Sequence, residues 1–304
     1  MTRAIRFMEV SPRDGLQNEA AELTTAEKLT LIQWALDAGC KRIEVASFVH
    51  PKKVPRMADA EAVCAALPQR GDVVYTGLIL NERGFERLLA TQALDEAGLV
   101  VPISDTFGER NQGQSIDEAT AMSVRVLRDA RQRGFAAQAT LAVAFGCPFE
   151  GEVAQTRVIE VAKRLADEEP TEIALADTIG VGVPSQVRDL FGELAHQLGP
   201  DLPLRAHFHD TRHTGIANAF AALEAGVITF DASIGGIGGC PFAPNATGNI
   251  ASEDLLYTLN RMNVEHGVEL ATILEAAEWL ENKLEKTVPS AVLRAGDFPE
   301  PAAV

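Results

Sequence analysis

Residues 204–232 read LRAHFHDTRHTGIANAFAALEAGVITFDA and contain one strand–helix–strand unit. The β-rich runs Leu204–Phe208 and Val227–Ala232 predict strands, and Gly215–Ala225 between them consists mainly of helix-forming residues. Two neighbouring strands joined by a helix run parallel, because the helical crossover returns the chain to the same end of the sheet. This stretch therefore predicts an α/β protein built on parallel strands.

The same alternation runs through the rest of the chain. Six further β-rich runs raise the number of predicted strands to eight: Ile5–Val10, Arg42–Ala46, Val73–Leu78, Gly98–Ile103, Ala137–Ala144 and Glu172–Ala176. Helical patterns between them include Thr25–Ala38, Asp117–Arg133, Val153–Asp167 and Ser185–Leu198. Eight strand–helix units predict a (β/α)8 TIM barrel. An open doubly wound sheet stays an alternative because it also uses parallel strands, although no Gly-x-Gly-x-x-Gly after the first strand supports its dinucleotide-binding form.

The chain continues beyond the eighth unit. Ser252–Met262 is predicted as the last barrel helix, and Val268–Lys286 as an additional helix with an apolar stripe that covers the barrel or a partner subunit. We expect one catalytic domain over residues 1–304, with the barrel at about 4–264, a C-terminal helical extension at about 265–290 and a loose tail at 291–304. The sequence does not determine whether the protein forms a homo-oligomer.

Composition excludes several classes of protein. The net charge of −16 argues against general binding to nucleic acid or anionic membranes, since both need basic surface. No apolar run approaches the ~20 residues of a membrane span, and the start MTRAIRFMEV lacks the apolar region of a signal peptide, so we expect a cytoplasmic protein. The four cysteines are scattered without a Cys-x-x-Cys pair, which argues for reduced thiols rather than a disulfide scaffold or a zinc knot.

Acids and histidines follow the predicted strands, where TIM-barrel enzymes carry their chemistry. His207 and His209 are two apart on a strand and would share one face, as a pair of metal ligands would. Other polar residues at strand ends are Arg13, Asp14, Glu44 and Asp177. Each of these residues can also be interpreted as purely structural: a hydrogen-bonded residue, a helix cap or part of an ion pair on the barrel rim. Together they predict one site at the barrel mouth.

A glycine-rich loop, SIGGIGGCPFAPNATGN at residues 233–249, follows the eighth strand. Such loops often bind phosphate or fold over substrate, although a plain flexible turn has the same composition. Cys240 on this loop could act as an acid, act as a nucleophile or pack as a small hydrophobic residue.

Five runs together resemble 3-hydroxy-3-methylglutaryl-CoA lyase, a family within the metal-dependent TIM-barrel lyases and Claisen-type synthases. They are EVSPRDGLQNE (9–19), IEVASFVHPKKVPRM (43–57), LADTIGVGVP (175–184), HFHDT (207–211) and GGIGGCPFAPNATGN (235–249). The similarity extends in order from about Phe7 to Leu284. The first run and the cysteine loop are lyase hallmarks, whereas the barrel and His-x-His are shared with the synthases.

The resemblance implies a role for each matching position. It implies a divalent metal, Mg²⁺ or Mn²⁺, with the ligands Asp14, His207, His209 and Asn249. It also implies that Arg13 stabilises a thioester enolate and that Cys240 transfers a proton, with Glu44 and Asp177 as acidic active-site residues. Ser104 and Asn111 fall in a segment similar to the family and are expected to line the pocket.

Positively charged residues near the predicted site indicate where anionic groups of a substrate would bind. Lys52 and Lys53 are expected to meet the phosphates of CoA, with a solvated surface pair as the alternative. Arg212 stands where the lyases commonly have a tyrosine, and it either receives a substrate carboxylate or lies on the exposed rim.

The leading expectation is a lyase that cleaves 3-hydroxy-3-methylglutaryl-CoA, an acyl-CoA substrate, to acetyl-CoA and acetoacetate. Citramalyl-CoA or a longer 3-hydroxy-3-alkylglutaryl-CoA stays open as the substrate. The alternatives are a 2-oxo-acid aldolase or condensing synthase of the same barrel group, and a non-catalytic barrel that binds an acyl-CoA or a protein. Two histidines and an aspartate also resemble the ligands of non-haem iron oxygenases, but nothing else in the chain supports oxygen chemistry.

Overall fold

The computed structural model of the chain describes residues 4–239 and 248–299. Eight parallel strands pair in chain order and close into a barrel: β1 (Arg6–Glu9), β2 (Arg42–Ser47), β3 (Val74–Ile79), β4 (Glu96–Pro102), β5 (Ala136–Ala142), β6 (Ile173–Asp177), β7 (Leu204–Phe208) and β8 (Thr229–Ala232). Because β1 pairs with β8 over four residue positions, the sheet has no free edge. The predicted TIM barrel is confirmed, and the open sheet is excluded.

Eleven helices lie within the described ranges. They are α1 (Thr25–Asp37), α2 (Ala60–Ala65), α3 (Glu82–Thr91), α4 (Asp105–Asn111), α5 (Ile116–Arg133), α6 (Gln155–Ala166), α7 (Pro184–Leu198), α8 (Gly215–Glu224), α9 (Ser252–Arg261), α10 (Leu270–Leu284) and α11 (Ala291–Ala295). Local sequence explains the limits of the longest one. Ser115 and Glu118 form a capping box at the start of α5, and Gly134 ends it at a φ of 67°.

Packing on the outer side of the barrel indicates which strand residues face its interior. Phe208 on β7 points outward, is fully buried, and contacts Phe145 with ring centroids 5.9 Å apart. Since successive side chains on a strand alternate between faces, its neighbours His207 and His209 point inward. The apolar anchor at Phe208 thus determines the orientation of the two histidines.

The barrel interior carries buried charges below the mouth, where many TIM barrels stack aliphatic side chains. Arg42 donates to Glu96 over 2.9 Å and lies 2.7 Å from Glu172. Arg205 lies 3.1 Å from Glu172 through Nε and also pairs with Asp231. Buried charges are tolerated when they are paired, so these five residues form one connected ionic network, which we call the interior network.

The C-terminal segment packs onto the barrel. Helix α10 contacts α1, α9 and the 3₁₀ turn Ile234–Gly236, which confirms the additional C-terminal helix. The tail expected to be loose from residue 291 instead begins with α11. Ser290 caps this helix, and Asp254 accepts hydrogen bonds from the backbone N–H groups of Ala291 and Val292 at 3.1 and 2.7 Å. These capping contacts were not apparent in the sequence.

Among the described residues, no helix combines the length and the apolar character needed to cross a bilayer. The three described cysteines, Cys40, Cys64 and Cys147, are buried free thiols, as expected.

Candidate active site

A π-helical turn, Ser11–Gly15, follows β1 and positions Arg13 and Asp14 at the barrel mouth. The N–H groups of Asp14 and Gly15 both donate to the carbonyl of Val10, at 2.8 and 3.1 Å, which widens the turn by one residue. Single π turns often occur at functional sites because they change the direction of a side chain locally.

Arg13 is held between two carboxylates. Its Nη1 donates to Asp14 Oδ1 and its Nε donates to Glu44 Oε2, both over 2.6 Å. Burial raises the pKa of Glu44, although the charge of Arg13 opposes the shift. Burial would also raise the pKa of Asp14, but the charges of Arg13, His207 and His209, together with the hydrogen bond from Asn249, outweigh burial and hold that pKa below its usual value. Asp14 is therefore a carboxylate at neutral pH, as a metal ligand must be.

His207 and His209 face Asp14 from β7 and its end. Their ring centroids lie 5.2 Å apart, and His207 Nε2 is 3.8 Å from Asp14 Oδ2. One ligand atom from each of these three residues lies within 4.8 Å of the other two. The structure thus brings together the two predicted histidines and the predicted aspartate.

Asn249 joins this group through the backbone. A bridge between His209 and Asn249 places the segment after the glycine loop beside β7, and a second bridge pairs Ser233 with Ala251. Asn249 Nδ2 donates to Asp14 Oδ2 at 2.8 Å and to the carbonyl of Ile237 at 3.1 Å. Gly238 permits this approach, because a Cβ there would lie 2.6 Å from Asn249 Nδ2.

The donor set suits a hard divalent ion. It combines a carboxylate with two imidazoles, and the amide of Asn249 adds an oxygen. Asn249 Oδ1 is buried and has no hydrogen-bond partner among residues 4–239 and 248–299, while the amide nitrogen is fully used. A buried acceptor without a donor is unfavourable unless a ligand satisfies it. The residues present therefore fit a metal ion.

A cavity of about 600 Å³ opens beside this group. Seven of the predicted site residues line it: Arg13, Asp14, Glu44, Lys53, Asn111, His207 and His209. The opposite wall is largely apolar and includes Leu78, Leu80, Leu99, Val100 and Phe107. A few convergent polar groups facing an apolar wall are typical of a small-molecule site.

Five of the described predicted residues lie outside the cavity lining, namely Asn249, whose contacts are given above, and four others. Ser104 caps α4 by accepting from Phe107 N at 3.2 Å, and its Oγ lies 2.9 Å from Cys147 Sγ. Arg212 is exposed and donates to the carbonyl of Gly180 at 2.8 Å. Of the two positions considered for it, this is the one on the exposed rim of the barrel. Lys52 is exposed, whereas its neighbour Lys53 reaches the cavity. The substrate-binding roles of these residues stay predictions.

Asp177 is the fourth of these residues. Its two oxygens accept from the N–H groups of Val181 and Gly182, at 2.9 and 2.8 Å, and its neighbours Ala176 and Thr178 line the cavity instead. These contacts shape the loop after β6. Its predicted catalytic role stays a prediction. Cys240 lies outside the described residues, but Gly239 before it lines the cavity, and Asn18 Nδ2 donates to the Gly239 carbonyl at 2.8 Å.

Sequence reasoning missed three charged residues that line the cavity, and two of them are Arg205 and Asp231. Arg205 precedes His207 by two positions and so shares its inward face, a signal that the strand period contains. Asp231 Oδ2 lies 3.0 Å from His207 Nδ1. Arg110 was also missed; its guanidinium stacks over the Phe149 ring, 4.2 Å from the centroid, at the cavity edge.

Comparison with known proteins identifies the family. The profile of the HMGL-like family matches residues 4–280. The (R)-citramalyl-CoA lyase of Chloroflexus aurantiacus is 40% identical and covers 96% of this chain and 95% of its own. A hydroxymethylglutaryl-CoA lyase of Bacillus subtilis is 38% identical, with 95% and 96% covered.

A solved structure shows the same fold. The HMG-CoA lyase of Acinetobacter baumannii, in complex with coenzyme A and 3-methylmalate, superimposes with a TM-score of 0.93 at 34% identity and covers 99% of this chain and 98% of its own. Because the family profile and these relatives span nearly the whole chain, the protein belongs to the HMGL-like family of carbon–carbon lyases.

Proposed function

We propose that the protein cleaves 3-hydroxy-3-methylglutaryl-CoA to acetyl-CoA and acetoacetate with the help of Mg²⁺ or Mn²⁺. The observation that carries the proposal is the convergence of Asp14, His207 and His209 within 4.8 Å, in a cavity that Arg13 also lines. These residues can stabilise the two oxygens at which negative charge develops when the bond between C2 and C3 breaks.

Asp14, His207, His209 and Asn249 would hold the ion. When bound, a divalent ion supplies Lewis-acid stabilisation to a substrate oxygen and lowers the pKa of the tertiary hydroxyl. The protein prepares this site before any ligand arrives, because Asn249 Nδ2 already fixes the Asp14 carboxylate. A site whose ligands are held in place has little rearrangement to make on binding.

Arg13 would stabilise the other end of the breaking bond. The electron pair of that bond moves onto C2 and is delocalised onto the thioester oxygen, where a guanidinium lowers the energy of the developing charge. Glu44 and Asp14 accept from two different nitrogens of Arg13 and so hold the guanidinium plane in one orientation. A fixed donor stabilises the transition state without reorganising during the reaction.

Cys240 would then donate a proton to C2 of the enolate, which gives acetyl-CoA, and the proton released by the tertiary hydroxyl would return the resulting thiolate to a thiol through solvent. The support is the position of Gly239 on the cavity wall, together with the resemblance of the loop sequence to the lyases. Proton transfer by a positioned thiol contributes typically 10²- to 10⁴-fold to a rate. The hydrogen bond from Asn18 to the Gly239 carbonyl holds the residue before Cys240 at the mouth.

The CoA portion would enter past Lys53 and Arg110. Both line the cavity, and the ion pairs among the described residues include neither of them, so their charges are available for an anion. Lysine binds phosphate as a point charge, and arginine binds it through a planar set of donors. The A. baumannii relative, solved with coenzyme A, supports an acyl-CoA as the substrate class.

Citramalyl-CoA is the second candidate substrate. The observation in its favour is the 40% identity to the C. aurantiacus (R)-citramalyl-CoA lyase over 96% of this chain. Both thioesters carry a tertiary hydroxyl and would yield acetyl-CoA, so the same metal and arginine would serve either cleavage. The two substrates differ in the second product, which is acetoacetate in one case and pyruvate in the other.

The test measures both products from purified enzyme that has been stripped of metal and reloaded with Mg²⁺ or Mn²⁺. We expect acetyl-CoA release from HMG-CoA with a higher kcat/KM than from citramalyl-CoA, and no turnover after chelation. Pyruvate formation from citramalyl-CoA at the higher kcat/KM would reassign the substrate. Full activity after exhaustive chelation, or no cleavage of either thioester, would reject the proposal.

A further inference from the structure

Asp231 occupies a position that the proposed reaction does not yet use. It lies at the end of β8, is 2% exposed and lines the cavity. Its Oδ2 is 3.0 Å from His207 Nδ1 and also accepts from Arg205 Nη1. One carboxylate oxygen therefore contacts both a proposed metal ligand and the buried arginine of the interior network.

The contact fixes which ring nitrogen of His207 carries the hydrogen. The Arg205 guanidinium is always charged and can only donate, so the carboxylate facing it is an acceptor. The hydrogen between Asp231 and His207 then belongs to Nδ1. A neutral imidazole with its hydrogen on Nδ1 has its lone pair on Nε2, which is the nitrogen 3.8 Å from Asp14 Oδ2.

Arg205 is itself held on several sides. Its Nη2 donates to Thr140 Oγ1 at 2.8 Å and also to Gln138, and its Nε lies 3.1 Å from Glu172. These partners lie on or next to β5 and β6, so the guanidinium is fixed by strands other than its own β7. Asp231 on β8 is thus connected through Arg205 to residues on β5 and next to β6.

We propose that Asp231, fixed by Arg205, is a positioning residue that orients the His207 imidazole with Nε2 toward the metal ion. This inference rests on the proposed function. A metal-binding histidine commonly donates its other N–H to a carboxylate, and loss of such a partner typically costs 10- to 100-fold in metal affinity or activity.

The first test measures Mn²⁺ affinity by calorimetry on metal-free protein without substrate. Asp231→Asn removes the charge and keeps an acceptor oxygen, and we expect it to weaken Mn²⁺ binding about 10- to 100-fold. Glu96→Gln is the matched control, because Glu96 is a buried carboxylate of the same network that contacts Arg42, Thr76 and Gln138. It should lower thermal stability and leave Mn²⁺ affinity within twofold of the wild type.

The second test uses the unmodified protein and does not depend on the folding of any variant. Nitrogen-15 spectra of the metal-free enzyme report which ring nitrogen of His207 is protonated, and His207→Gln identifies its signals. We expect the hydrogen on Nδ1 in the wild type. A ring with a hydrogen on Nε2 and none on Nδ1 would overturn the inference, and so would equal Mn²⁺ affinity in wild type and Asp231→Asn. If the wild type bound no Mn²⁺, the proposed function and the inference would both fail.

Discussion

A buried glutamate beneath the glycine loop should make the stability of this protein depend on pH. Glu253 lies at the start of α9, is fully buried, and accepts a hydrogen bond from Gly235 N at 2.8 Å. Its pKa is raised from 4.5 to about 8, mainly by burial, with the negative charges of Glu9 and Asp254 adding to the shift. The carboxyl group is therefore protonated in the folded protein at neutral pH.

The sign and the size of the effect follow from proton binding in the two states. Above pH 4.5 the unfolded chain releases this proton, whereas the folded protein keeps it until about pH 8, so the free energy of unfolding falls as pH rises across that window. A shift of about 3.5 pKa units at 1.36 kcal/mol per unit amounts to about 5 kcal/mol. A loss of that size is a large part of the stability of a typical protein.

Glu253→Gln removes the titration and keeps the oxygen that accepts from Gly235 N. We expect the variant to gain stability relative to the wild type as pH rises from 5 to 9, by about 4 kcal/mol, because about three pKa units of the window lie within this range. Urea denaturation of both proteins at five pH values measures the difference, and Glu275→Gln, an exposed carboxylate on α10, is the control that should leave the profile unchanged. A stability difference between variant and wild type that is constant from pH 5 to 9 would refute a protonated Glu253.

Three further predictions concern catalysis. Arg13→Gln should lower kcat about a hundredfold or more, equivalent to about 2.7 kcal/mol of transition-state stabilisation, with a much smaller change in KM; a rise confined to KM would mean that Arg13 only binds substrate. Lys53→Ala should raise the KM for the acyl-CoA severalfold, because Lys53 lines the cavity, while the control variant Lys163→Ala, at an exposed lysine of α6 outside the cavity lining, leaves the KM unchanged; equal effects of the two variants would place the phosphates elsewhere. Cys240→Ala should bind Mn²⁺ normally and lose most turnover, with bound substrate protecting the wild type from thiol alkylation; normal turnover would remove Cys240 from the mechanism.

The sequence predicted the fold because its signal is repeated eight times. Each unit contributes a β-rich run, and errors of a few residues at strand ends leave the number of units unchanged. The histidine pair was equally predictable, since two residues at positions i and i+2 on a strand share a face in any register. The tail from 291 was less predictable, because its helix depends on contacts with Asp254, 37 residues away in sequence for Ala291.

Asp177 shows why an acid at a strand end is harder to place. Every residue of β6 is buried, so the sequence carries no alternation that would distinguish the inward face from the outward one. A shift of one residue moves a side chain to the opposite face, and here Ala176 and Thr178 take the inward positions. Arg205 and Asp231 were not predicted as site residues for a related reason. An isolated charged residue within a strand gives no indication of which residue it pairs with.

The two backbone bridges beside the metal ligands have a consequence for how this enzyme can diversify. The bridges pair Ser233 with Ala251 and His209 with Asn249, so both ends of the intervening segment are fastened independently of its length. Lengthening a loop whose two ends are held in place has a small entropic cost, since each doubling of the loop length costs only about 0.6 kcal/mol of closure entropy. Insertions and deletions between these bridges can therefore change the length of the segment that carries Cys240 while the metal ligands on either side keep their places.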